Sequence, residues 1–216
     1  MNITWYGQSC FKIEVSSQNE DISIVIDPFD AKKVGLKLPS KLTADLALQT
    51  NGKLAYPVET RDGKTPFIIS GPGEYEFKGI FVYAIPLSKH LSAKQGGTEY
   101  IVRIEAEDMT LVHTGALDHV PSDADLQEIE GLDILFIPVG GHGLLDAKKA
   151  TELISKLEPR MVIPMQYKIP ELKEEYDSLQ LFLKEVGVKH EEMPKLKIIK
   201  KNLPIDEMKV IVLEKS

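Results

Sequence analysis

Cysteine, positive charge and long apolar runs are what this chain has least of, and each shortage removes a class of protein. One cysteine, Cys10, excludes an internal disulfide framework. Basic residues number 26 against 33 acidic ones, giving a formal charge of -7. That balance opposes a whole-chain attraction to phosphate backbones, so nucleic acid is disfavoured as a partner, and Lys195, Lys197, Lys200 and Lys201 read as a solvated face. No apolar stretch approaches the ~20 residues needed to span a bilayer. The longest, from Ile80 to Leu87, has the length of a strand, so no membrane partner is expected. The opening MNITWYGQSC lacks the basic segment and apolar stretch of a secretory leader, which predicts a cytoplasmic location. Low-complexity segments and fixed-period repeats are also missing. No Gly-x-Ser-x-Gly elbow is present, and GPGE and VGGHG lack the spacing and lysine of a phosphate loop, so their glycines read as tight turns.

What remains is the composition of an ordinary folded chain: 43% hydrophobic and 27% charged over 216 residues. The first half carries short β-branched and aromatic runs, Ile3 to Tyr6, Cys10 to Val15, Ile22 to Ile26, Phe67 to Ser70, Ile80 to Ile85 and Tyr100 to Ile104, which predict a mostly antiparallel set of strands. Between Asp27 and Pro57 the pattern weakens into a long connection with one apolar piece, Leu46 to Leu48. After His113 the character changes. Ser122 with Asp125 reads as a capping box, Asp133 to Val139 as a buried strand, Asp146 as the cap of a helix through Leu157, and Arg160 to Met165 as a returning strand. Leu172 to Val186 repeats the helical spacing, and Leu196 to Ile199 and Lys209 to Leu213 are strand-like. Strands followed by alternating strands and helices predict an α/β sandwich of two sheets with helices outside, formed by one domain over 1–216.

The stretches ITWYGQSCFKIE and IVIDPF, followed by GPGEYEFKGI, IEAED, DILFIPVGG, DAKKA and EPRMVIPMQYK, resemble in order the metallo-β-lactamase superfamily. The resemblance is to the branch of zinc-dependent hydrolases related to L-ascorbate-6-phosphate lactonase. It implies an αββα sandwich of two mixed sheets with the metal site at one edge between them, and a zinc or manganese cofactor. The family's His-x-His-x-Asp-His motif falls on TNGKLAY, so that Asn51, Lys53, Ala55 and Tyr56 stand where ligands are implied. Gln8, Ala116 and Gln166 replace further family residues, and a later histidine position falls on Lys89 or His90.

Set against that resemblance, the expected site is a vestigial pocket of Gln8, Asn51, Lys53, Ala55, Tyr56, His113, Ala116 and Gln166 with no metal and no cofactor. A relocated metal could draw only on His90, His113, Asp118 and His119, a trio and a neighbour whose plainer reading is a hydrogen-bonded loop. Lys53 could attract a small anionic ligand, or be an exposed loop lysine. Cys10, in an apolar strand, reads as core. The expectation is therefore a pseudoenzyme: a non-catalytic binding or assembly scaffold that pairs with itself or with a partner of the same fold. The alternative is a hydrolase of a small anionic ester or lactone with a metal-free or relocated site, using Asn51, Lys53, Tyr56, His113 and Gln166.

Overall fold

The computed structural model describes residues 1–50, 55–87 and 100–216. Its strands, in chain order, are β1 (Asn2–Gly7), β2 (Cys10–Ser17), β3 (Glu20–Ile26), β4 (Leu46–Leu48), β5 (Phe67–Ile69), β6 (Gly73–Phe77), β7 (Ile80–Pro86), β8 (Tyr100–Ala106), β9 (Met109–His113), β10 (Ile134–Pro138), β11 (Met161–Met165), β12 (His190–Met193), β13 (Leu196–Lys197) and β14 (Lys209–Leu213). The α-helices are α1 (Ala31–Val34), α2 (Asp123–Gln127), α3 (Ala147–Leu157) and α4 (Leu179–Val186). Among the described residues these form a six-stranded sheet in the order β13-β1-β2-β3-β4-β5, and an eight-stranded sheet in the order β12-β14-β11-β10-β9-β8-β7-β6. Both are mixed. In the first, β1, β2 and β3 are antiparallel neighbours while β3, β4 and β5 run parallel; in the second, the antiparallel run from β6 to β9 gives way to parallel β9, β10, β11, β14 and β12.

Period-two alternation decides which faces meet. Ile3 and Trp5 on β1, Phe11, Ile13 and Val15 on β2, Ile22, Ile24 and Ile26 on β3, and Leu46 and Leu48 on β4 all join the core shared with the second sheet. The intervening Val25 and Ala47 face outward, under a separate cluster with Leu42, Ala44 and Val58. Strand β10 is buried at every position, as a parallel strand covered on both faces must be. Phe11 joins the layers, its ring 4.7 Å from that of Phe136.

The two outer faces are covered differently. On the second sheet α3 buries Ala150, Leu153, Ile154 and Leu157, and α4 buries Phe182 and Leu183. On the first, the cover is the one-turn α1 and its neighbouring loops: Cys10, Phe29, Val34 and Leu36 pack there together. The αββα sandwich is thus present, with irregular chain doing much of one helix layer's work.

Local signals held where they were local. Asp146 accepts the Lys149 amide at 2.8 Å, and Ser122 and Asp125 form the reciprocal capping box. The helix predicted from Leu172 begins only after Ser178, because the chain before it is held by cross-chain bonds. The Lys173 amide donates to the Val34 carbonyl at 3.0 Å, and the Asp177 amide to that of Gly140 at 2.8 Å. No helix among the described residues is long and apolar enough to cross a membrane.

Candidate functional site

The carboxyl ends of β1, β3, β4, β9, β10 and β11 converge at one edge between the sheets, where open α/β sheets offer a crevice for ligands. Four residues there leave their strands through the left-handed region: Gln8 after β1 (φ 52°), Asp27 after β3 (φ 47°), His142 just past β10 (φ 52°) and Gln166 after β11 (φ 52°). For side chains other than glycine this backbone is strained by roughly 1–3 kcal/mol, and such strain gathers at functional sites.

At the floor of this edge Asp27 and His113 are both hydrogen-bonded. Asp27 accepts both the amide and the hydroxyl of Thr50, each at 2.7 Å, so the end of β4 is clamped to the end of β3. His113 lies buried between Phe11 and Phe136. Its Nε2 is 2.9 Å from the Ser9 carbonyl oxygen, which can only accept, and its Nδ1 accepts the Gly115 amide at 3.2 Å. That pairing makes the ring the neutral Nε2–H tautomer. Burial pushes its pKa below the usual value against the opposing pull of Asp27. Burial, with Asp27 adding to it, also drives the Cys10 thiol well up, so it is no thiolate nucleophile.

The rim is bonded less completely. Gln8 and Gln166 are each 6% exposed, and the carboxamide oxygen of each is buried with no hydrogen-bond donor. Gln8 Nε2 donates to Glu174 at 3.2 Å, and the indole of Trp5 donates to the Gln8 carbonyl at 2.8 Å. The phenol of Tyr176 has a raised pKa, chiefly from burial and then from Glu174, with a side-chain hydrogen bond to Gln8 pulling the other way. Gly140 permits this arrangement, since a Cβ on it would lie 2.0 Å from the Gln166 carbonyl oxygen and 2.9 Å from Cβ of Tyr176. His142 and Asp177 complete the rim, 3.4 Å apart.

Of the pocket expected from sequence, Gln8, His113 and Gln166 lie at this edge. Tyr56 packs on the outer cluster with Val25 and Ala47, its hydroxyl 3.2 Å from the Pro39 carbonyl, and Ala55 beside it is exposed. Ala116 is half-buried in the turn after β9. Asn51, Lys53, Lys89 and His90 lie outside the described residues. Asp118 and His119 are paired with each other at 2.6 Å. Sequence reasoning missed Asp27, His142, Glu174, Tyr176 and Asp177. Only Asp27, an acid closing an apolar strand before proline, carried a local signal. Among the described residues no three His, Cys, Asp or Glu side chains gather as a metal-binding group.

A family model described as the beta-lactamase superfamily domain matches residues 2–166. A UPF0173 metal-dependent hydrolase from Carboxydothermus hydrogenoformans is 27% identical over 197 residues, covering 77% of this chain and 84% of the relative. Another from Thermoplasma volcanium, TV0864, is 23% identical over 195 residues, covering 77% and 83%. Among solved structures, a candidate Zn-dependent hydrolase of the metallo-β-lactamase superfamily from Thermotoga maritima superposes with a TM-score of 0.78 at 28% identity, over 99% of this chain and 98% of that one.

These relatives correct two expectations. The non-catalytic scaffold or pseudoenzyme, and the metal-free or relocated-site alternative, are overturned by relatives along most of the chain that are named metal-dependent hydrolases. The expected absence of any cofactor falls with them. The physical error was to pass from missing imidazoles to a missing metal. Carboxylate and carbonyl oxygens also bind divalent cations, and they bind the hard ones by preference.

Proposed function

The chain belongs to the beta-lactamase superfamily domain family, and from that membership we propose that it is a metal-dependent hydrolase working at the strand ends between its two sheets. The observation that carries this reading is the near full-length likeness, in sequence and in backbone, to the Thermotoga maritima chain. In this reading the donor set departs from the family's imidazole-rich one, with Gln8 and Gln166 among the substituted positions. An imidazole set for zinc does not fit the described residues, which bring no three such donors together. Gln8 and Gln166 each keep a buried carboxamide oxygen without a donor at this edge, and such oxygens are of the type that hard cations prefer. When bound, such a metal supplies Lewis acidity and an activated water.

The chain's own residues prepare the site. Asp27 fixes Thr50 and with it the start of the loop that follows β4. His113, neutral and bonded at both nitrogens, holds Ser9 and Gly115 and leaves no nitrogen to move a proton. His142, half-exposed, lies at the rim beside Asp177. The resemblance to the lactonase-related branch places lactones and carboxylic esters first among the bonds to try.

The test is a panel of lactones, carboxylic esters and phosphodiesters incubated with the protein and Mn2+, Mg2+ or Zn2+, with products read by mass spectrometry before and after chelation. Turnover lost on chelation and restored by added metal supports the proposal. No turnover with any metal, or turnover indifferent to the chelator, overturns it.

A further inference from the structure

We propose that the outer face of β6, β7 and β8 is a docking surface for a basic amphipathic helix of another protein. This is independent of the metal-dependent reading above and concerns the side of the second sheet that faces away from the core. On β7, Ile80, Val82 and Ala84 are core residues, so Phe81, Tyr83 and Ile85 stand outward in one column. Elsewhere on the outer face of this sheet, α3 and α4 supply the buried cover. Here the column is open. Phe81 is 45% exposed, and a shallow groove of about 610 Å3 is lined by Tyr83, Ile85 and Pro86. An apolar row of this kind with a polar border marks an interaction site.

The strand register sets what borders the column. On β6, Glu74 lies opposite Tyr83 and Glu76 opposite Phe81; on β8, Arg103 lies opposite Tyr83 and Glu105 opposite Phe81. The Arg103 guanidinium is spent. Its Nε donates to Glu105 at 3.0 Å, a terminal nitrogen lies 2.9 Å from the same carboxylate, and the other donates to the Glu130 carbonyl at 2.8 Å. That pair is neutral. Glu74 and Glu76 on one side, and Glu128 on the groove wall, enter none of the ion pairs among the described residues. The complementary partner therefore carries an apolar stripe bordered by lysine or arginine.

Two facts select a helix over an added strand. A strand would need the open edge of β6, which follows Pro72 and carries Glu74 and Glu76, and proline and charge are the devices that guard an edge. A sheet face takes a helix, and the lengths agree. From Phe81 to Ile85 the column spans about 13 Å, and residues i, i+4 and i+8 of a helix span about 12 Å.

The experiment measures, by fluorescence anisotropy, the affinity of the protein for a labelled peptide of about 18 residues with leucine and lysine at helical spacing. A counterpart with glutamate at every lysine is expected to bind at least about tenfold more weakly. Glu74→Lys with Glu76→Lys, and separately Phe81→Ser, are each expected to weaken the lysine peptide at least about tenfold. Glu152→Lys with Glu185→Lys makes the same charge change at exposed positions of α3 and α4, and is expected to shift the affinity less than about threefold. The lysine pairs sit on exposed side chains and decide the matter if Phe81→Ser does not fold. No binding of the lysine peptide, or an equal loss in the two lysine pairs, overturns the proposal. So does a second copy as occupant, seen in analytical ultracentrifugation as a dimer that Phe81→Ser dissolves.

Discussion

The two ends of β10 and β11 are finished in opposite ways. At the amino end, Asp133 is 5% exposed, and its carboxylate accepts the Lys200 ammonium at 2.8 and 3.0 Å and the Thr110 amide at 2.9 Å, with Arg160 3.7 Å away. Both carboxylate oxygens are hydrogen-bonded, and the backbone leads into the sheet without a left-handed residue at Asp133. At the carboxyl end, Gln166 turns through φ 52° and keeps a buried oxygen unmatched. A chain that gives a buried carboxylate three hydrogen bonds and a second cation at one end is not short of donors. The contrast assigns stability to the amino end and binding to the carboxyl end.

Four changes would break or sharpen that contrast. The largest effect is expected for Gly140→Ala, whose Cβ meets the Gln166 carbonyl oxygen at 2.0 Å. Because backbone and not a flexible side-chain tip must yield, a loss of about 2–3 kcal/mol is expected in denaturant unfolding, with metal-dependent turnover lost as well. Asp133→Ala should cost about 2 kcal/mol, since it strands the Thr110 amide and two cations, but should leave metal-dependent turnover of the folded protein unchanged. A drop in turnover alongside the drop in stability would erase the division between the ends.

A smaller effect is tied to pH. Burial lowers the His113 pKa below its unfolded value of about 6.5, so the unfolded chain binds the proton first. The stability linked to the neutral ring is complete above that pH and is lost as pH falls through it. Thermal unfolding should show a midpoint declining below about pH 6.5, with the decline reduced in His113→Gln. The smallest effect has the opposite sign. Gln8→Leu, measured without metal, should be neutral or stabilise by up to about 1 kcal/mol, because it removes an unsatisfied acceptor along with its donors. Clear destabilisation would mean that the oxygen is already satisfied.

How much of this was legible in sequence follows the range of the interaction. The caps at Ser122 and Asp146 and the alternation of Ile22, Ile24 and Ile26 depend on neighbours a few residues away, and the structure has them as read. Strand β6 was not read because Glu74 and Glu76 alternate with half-buried Tyr75 and Phe77 at an open edge, and β12 is mostly exposed polar residues. The segment from Leu172 to Asp177 has helical spacing, but its amides are taken by Val34 and Gly140, partners more than thirty residues distant that no local pattern announces. The same distance hid Glu174, Tyr176 and Asp177 from the site. Gln8 and Gln166 were found through the family resemblance, which located the edge and led to the wrong conclusion about its chemistry. Only the structure shows that their oxygens are buried without a donor.

The most direct test of metal dependence is the elemental content of the protein purified without chelator. About one equivalent or more of a divalent metal is the predicted result. No divalent metal at all would contradict it.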